Sequence, residues 1–146
     1  LIELLVVIAI IGLLSTLAVV ALSSSRAKAR DAKRAADIRQ IFISLELYNN
    51  NSNGYPEELT PVVLGQGEYR ALCAGGFKDE CDPGEDVFQG IIPVAPTPID
   101  GSCSAAENSY SYSTSGTGEF SIVFCLGNGV GELIAGLHTA TPSGIQ

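Results

Sequence analysis

The first stretch of the chain constrains it most. Leu1 to Leu22 reads LIELLVVIAIIGLLSTLAVVAL and carries one charged side chain, Glu3. Residues 4–22 are nineteen consecutive uncharged positions, and as a helix rising about 1.5 Å per residue they reach roughly 28 Å, close to the hydrocarbon thickness of a bilayer. No turn of this stretch is predominantly polar, which excludes a surface helix with one face in water. Glu3 stands at the start of the run, where a carboxylate is costly unless it snorkels to the interface or meets a cation. Arg26, Lys28, Arg30, Lys33 and Arg34 follow directly. By the positive-inside rule they would hold the remainder in the cytoplasm, and a cationic leader upstream, removed during maturation, would reverse that orientation.

Cysteine usage argues for export, and the charge distribution against a nucleic-acid partner. Residues 4–48 hold six Arg and Lys against Asp31, Asp37 and Glu46, whereas residues 49–146 hold Arg70 and Lys78 against twelve acids. With Glu3, the net charge is -8. An acidic surface of this kind is poorly suited to gripping a phosphate backbone, so no direct nucleic-acid partner is expected. Cys73, Cys81, Cys103 and Cys125 all lie in the acidic half without a CxxC spacing, which favours disulfides over a zinc or redox motif. Three pairings are open. We expect Cys73 with Cys81, a short loop, and Cys103 with Cys125, tying a loop to a strand, with four free thiols as the competing state.

After Leu22 the segment SSSRAKARDAKRAADIRQIFISLELYNNN lacks Gly and Pro, and Ile38, Ile41, Phe42, Leu45 and Tyr48 recur at three- and four-residue steps, the stripe of an amphipathic helix. The helix is therefore expected to run from residue 2 to about residue 50. Asp31 with Arg34 and Lys33 with Asp37 are spaced for same-face ion pairs of a few tenths of a kcal/mol. Gly12, Ser15 and Thr16 are its weak points. Turn formers at NNNSNGYP end it. Residues 51–107 are expected to be irregular loops, since three prolines in IIPVAPTPIDGS exclude a central strand. From Asn108 the alternation in NSYSYSTS and EFSIVFCL predicts two strands around a turn at Gly116 to Gly118, and Glu132 to Leu137 a third. This β-meander, 108–137, would bury one face on the helix. The tail, 138–146, is expected to be coil. The expected class is α+β, with an apolar half-helix at 1–24 and a globular part at 25–146.

LIELLVVIAIIGLL, with its Glu at that offset, resembles the start of mature type IV pilins and of type II secretion pseudopilins. The Gly-Tyr-Pro at the helix exit and Pro96-Thr97-Pro98 followed by Tyr110-Ser111-Tyr112 are similar to the same family, although its Asp normally stands between the prolines and here follows as Asp100. The resemblance implies the pilin fold, a cleaved leader, and an N-methylated Phe and a Thr ahead of Leu1. It also implies that Glu3 pairs with the N-terminal amine of an adjacent subunit. Many pilins carry a Pro where Val20 stands and melt their helix there on assembly; here a continuous helix is expected. Implied partners are copies of the same chain in a helical filament, the inner membrane before assembly, the prepilin peptidase and the assembly machinery. The implied place is the cell surface, and the implied roles are adhesion, twitching motility or DNA uptake.

Other chemistries find less support. Asp79, Glu80, Asp82, Glu85 and Asp86 could gather oxygens around Ca2+, but the EF-hand spacing is absent and a solvated acidic loop is the commoner explanation. His138, the one histidine, has no evident catalytic or zinc partners and is expected to be exposed. Neither an enzyme nor a cofactor is expected. The leading expectation is the structural subunit of a type IV pilus. The alternatives are the major pseudopilin of a type II secretion system and a monomeric, membrane-anchored binding domain.

Overall fold

A computed structural model describes residues 1–115 and 118–146. The architecture is α+β and pilin-like: one long N-terminal helix and a small, mostly antiparallel β head. Helix α1 runs Ile2–Ser52 without a break. Gly12, Ser15 and Thr16 do not interrupt it; Ser15 donates its hydroxyl back to the Ile11 carbonyl at 2.7 Å and Thr16 to that of Leu13 at 2.8 Å. The helix ends where Asn53 turns left-handed at φ 55°, its N–H closing on the Asn49 carbonyl. Asn tolerates that conformation better than most residues, which explains a stop in this Asn-rich run.

The two halves of α1 meet different surroundings. Every residue from 1 to 22 is exposed, and the most apolar window has a mean hydropathy of 2.9 with nothing of it buried. By length and composition this segment can cross a membrane. From Asp31 onward the helix lies on the head, burying Ala35, Ile38, Ile41 and Leu45.

The head holds more strand than expected. β1 (Val62–Val63), β5 (Ser111–Thr114), β6 (Phe120–Leu126), β7 (Gly136–Thr141) and β8 (Gly144–Ile145) form one sheet in the order β1-β5-β6-β7-β8, every pair antiparallel. Tyr112 and alternate β6 residues Phe120, Ile122, Phe124 and Leu126 point inward and are buried. They pack on the α1 stripe, with Phe42 meeting Phe120 edge-to-face at 5.7 Å between centroids. Within the predicted turn, Gly116 and Thr117 lie outside the described residues. β2 (Ala71–Cys73), β3 (Gly76–Lys78) and β4 (Val87–Gln89) form a second sheet in the order β3-β2-β4. Three expectations are thus corrected. The third strand of the meander is Gly136–Thr141, not Glu132 to Leu137, because its register is set by pairing with β6. Residues 51–107 are not wholly irregular, because Ala71, Leu72 and Cys73 are all buried and need ladder partners for their backbone. The tail is not coil: residues 138–141 complete β7 against β6, and β8 folds back on β7, with Thr139 and Gln146 exchanging both backbone hydrogen bonds.

Both disulfides pair as expected, Cys73 with Cys81 and Cys103 with Cys125. The second spans 22 residues and ties the loop after Asp100 to β6. The chain-entropy account assigns it about 3 kcal/mol, and somewhat less to the first, which spans 8 residues. Replacing Cys103 and Cys125 together by Ala should therefore cost roughly 3 kcal/mol. Urea unfolding of the detergent-solubilised protein, followed by tyrosine fluorescence, reads this as a lower midpoint.

Candidate assembly surface and the joint that aims it

The feature open to partners is the bare half of α1, and what fixes its direction is a buried polar joint one turn into the head. Stepping the apolar stripe of α1 back by threes and fours from Ile38 lands on Arg34 and Asp31, so these charges lie on the face that packs. Arg34 is 1% exposed and Asp31 0%. Arg34 Nη1 donates to Asp31 Oδ1 at 2.9 Å and to Asp100 Oδ2 at 3.4 Å. Its Nη2 donates to the Pro96 carbonyl at 3.1 Å and to Asn108 Oδ1 at 3.0 Å. Only Nε finds no partner among the described residues.

Asp31 completes the joint toward the sheet. Its carboxylate accepts the backbone N–H groups of Gly127 at 2.9 Å and Asn128 at 2.7 Å, just beyond β6. Asp100 is gripped by both Nε and Nη2 of Arg30, each at 2.6 Å, the bidentate fork that makes Arg–carboxylate pairs directional. Hydrogen bonding and charge from Arg30, helped by Arg34, hold the Asp100 carboxyl below its ordinary value despite burial. Gly101 and Gly127 let the two loops touch here. A Cβ on Gly101 would strike the Gly127 backbone and one on Gly127 would strike Asp100, and Gly101 also sits at φ +52°.

One turn further on, Lys33 binds Asp37 at 2.8 Å, and the Tyr110 hydroxyl donates to the same carboxylate at 2.8 Å. Burial, then the Asp37 carboxylate, pushes the Tyr110 hydroxyl far above its usual value. Pro96, Asp100, Asn108 and Tyr110 therefore serve one end: they fasten the segment of residues 96–110 to α1. The expectation for Asp31 and Arg34 is corrected accordingly. They are not a solvated pair worth a few tenths of a kcal/mol but a desolvated one, and removing one partner of such a pair costs about 3–5 kcal/mol.

The remaining candidate residues are placed as follows. Glu3 is exposed on the bare half of α1, in its first turn. In the acidic loop, Asp79 pairs with Arg70 at 2.8 Å, and Asp82 and Glu85 pair with Lys78 at 2.7 and 2.9 Å. Glu85 also accepts the N–H groups of Gly75 and Asp82, and these bonds, Lys78 first, hold its carboxyl below the usual range. Glu80 and Asp86 are exposed at the loop's surface. No group of three or more potential ligands able to hold a metal occurs among the described residues.

His138 is not exposed, as expected for a coil tail, but 7% accessible on β7. Its Nε2 lies 2.8 Å from the Ile134 carbonyl and its Nδ1 3.2 Å from the Gln146 oxygen. Both ring nitrogens are thus occupied by backbone, a structural use.

No family model, no curated protein and no solved structure matches this chain.

Two outcomes follow from the joint. Asp31→Ala should destabilise the head by about 3–5 kcal/mol, since Arg34 keeps its charge in a dry site; denaturant titration against wild type measures it. Because the folded state holds the Asp100 carboxyl below its ordinary pKa of 3.8, its contribution is present above that pH and is lost as pH falls through the folded value. The thermal midpoint should therefore hardly change from neutrality to about pH 4 and drop below it, and Asp100→Asn should flatten the drop.

Proposed function

We propose that this chain is the structural subunit of an extracellular filament of the type IV pilus kind, anchored in the cytoplasmic membrane before assembly and released from it into the fibre. The observation that carries the reading is the contrast within α1. The same helix is folded into a well-packed head over one half and completely uncovered over the other, with nineteen uncharged residues in succession. Such a surface is stable in lipid or against other apolar helices and nowhere else. The resemblance of LIELLVVIAIIGLL to pilin N-termini adds the second environment, copies of the same helix bundled in a core.

On this reading the acidic heads face outward and repel at close range, while the buried helices supply the attraction. Glu3 then specifies fit. A carboxylate carried into an apolar bundle costs several kcal/mol unless it is paired, and the amine created when a leader is cut from a neighbouring subunit is the partner that the resemblance implies. The chain would contribute no chemistry of its own; the work of extension would come from cytoplasmic ATPases and the processing from a prepilin peptidase. Adhesion, motility and DNA uptake are uses of the finished fibre.

Electron microscopy of sheared surface material, with mass spectrometry of the fibres, tests the reading: filaments containing this chain are expected. A secretion defect with no surface fibre would point instead to a pseudopilus, and a detergent-soluble monomer indifferent to Glu3 to an anchored binding domain. Glu3→Ala should abolish filaments while leaving membrane insertion intact, as read by fractionation; an unchanged filament yield would remove Glu3 from the assembly contact.

A further inference from the structure

The packed half of α1 has an outward face as well as an inward one. Ala32, Ala36, Arg39, Gln40, Ile43 and Leu47 are exposed along it, and Ile43 at 60% and Leu47 at 53% are large apolar side chains left in solvent by a helix that otherwise buries its apolar residues. Grooves flank this ridge. One lies between the ridge and β4, under Phe88 and Gln89. A second, almost wholly apolar, lies beside Ile38 and Phe42 and is closed by Gly144 and Ile145 of β8. A third lies against Val130, Glu132 and Leu133. Arg39 lines all three.

Arg39 makes no hydrogen bond or ion pair among the described residues, although Glu132 borders the third groove. Its cationic neighbours on α1 differ: Arg30, Lys33 and Arg34 are all spent on Asp100, Asp37 and Asp31. Arg26 and Lys28 are also free, but they line none of these grooves. Arg39 is thus a free cation set in an apolar ridge. The bare half of α1 is its complement, an apolar rod carrying one free carboxylate, Glu3.

We infer that this ridge receives the apolar half-helix of a second copy of the chain, running parallel, with the second copy's Glu3 against Arg39. The inference rests on the filament reading and names where in the neighbour the rod lodges. The register is self-consistent. With Glu3 opposite Arg39, the same offset brings Val7 to Ile43 and Ile11 to Leu47, and each trio lies on one helix face at four-residue steps. The two copies are then displaced by roughly 54 Å along the axis at about 1.5 Å per residue. The contact joins two different surfaces, so it leaves a free ridge at one end and a free rod at the other and propagates instead of closing. A carboxylate has room for more than one donor, so Arg39 and an N-terminal amine can share Glu3.

The experiment uses the full chain in cells that assemble it. Arg39 is exposed, so Arg39→Glu should keep the head folded, as read by circular dichroism and intact native disulfides, while lowering the yield of sheared filaments by about tenfold or more, the scale of losing one charge-assisted bond and creating a repulsion. Arg39→Lys should restore most of the yield. Independently, Val7→Cys and Ile43→Cys in one chain should give a ladder of covalent oligomers on mild oxidation, whereas Val7→Cys with Leu59→Cys should not. An Arg39→Glu variant that assembles normally, or a missing ladder from assembled Val7→Cys/Ile43→Cys filaments, overturns this docking and leaves the filament reading standing. Absence of filaments from the wild-type chain overturns both.

Discussion

Everything else in the molecule answers to one imbalance: an apolar rod too long for its own head to cover. The larger sheet offers its own chain one helix-binding face, built from Tyr112 and alternate residues of β6, and that face is filled by Ala35, Ile38, Ile41 and Leu45. Nothing remains for residues 2–22. Burying such a surface is worth about 25 cal/mol per Å2 of apolar area, so the uncovered half is the largest unrealised free energy in the structure, and it can be realised only outside the single chain.

The joint at Asp31, Arg34 and Asp100 matters because of that rod. A helix that projects so far acts as a long arm, and small rotations at its root become large displacements at Glu3. Apolar packing alone is tolerant of small slides and rotations. Forked hydrogen bonds are not: the Arg30–Asp100 pair and the two backbone N–H groups held by Asp31 define one orientation of helix against sheet. A buried ionic network is weak as a source of stability compared with an apolar replacement, yet it is a good source of uniqueness. Here the placement one turn into the head, where the arm leaves its support, is consistent with that use.

Much of this was legible in the residues. The uninterrupted helix, the stripe from Ile38 to Tyr48 and the inward alternation of β6 follow from periodicity and turn formers; the even cysteine count pointed to disulfides, while the pairing itself was one of three that spacing left open. The misses share a physical cause. Asp31 and Arg34 looked like a solvated pair because i to i+3 spacing says which face charges share, not whether that face is covered; continuing the apolar stripe backward past Ile38 would have placed them inside. Asp100 stood out only as a displaced family residue, and nothing in the sequence tied it to α1, since its partners Arg30 and Arg34 lie some 70 residues earlier. Strands β2 to β4 are only three residues each, too short for alternation to register, and β7 hides in HTAT because its neighbour across the sheet, not its own pattern, makes it a strand.

The edges of the larger sheet carry a consequence for crowding. Both outermost strands, Val62–Val63 and Gly144–Ile145, are two residues long, and so short a border offers an incoming chain little ladder to extend. In the proposed filament, heads massed side by side would thereby resist fusing into cross-β aggregates, and growth would be channelled into helix contacts, which can be made and undone without unfolding anything.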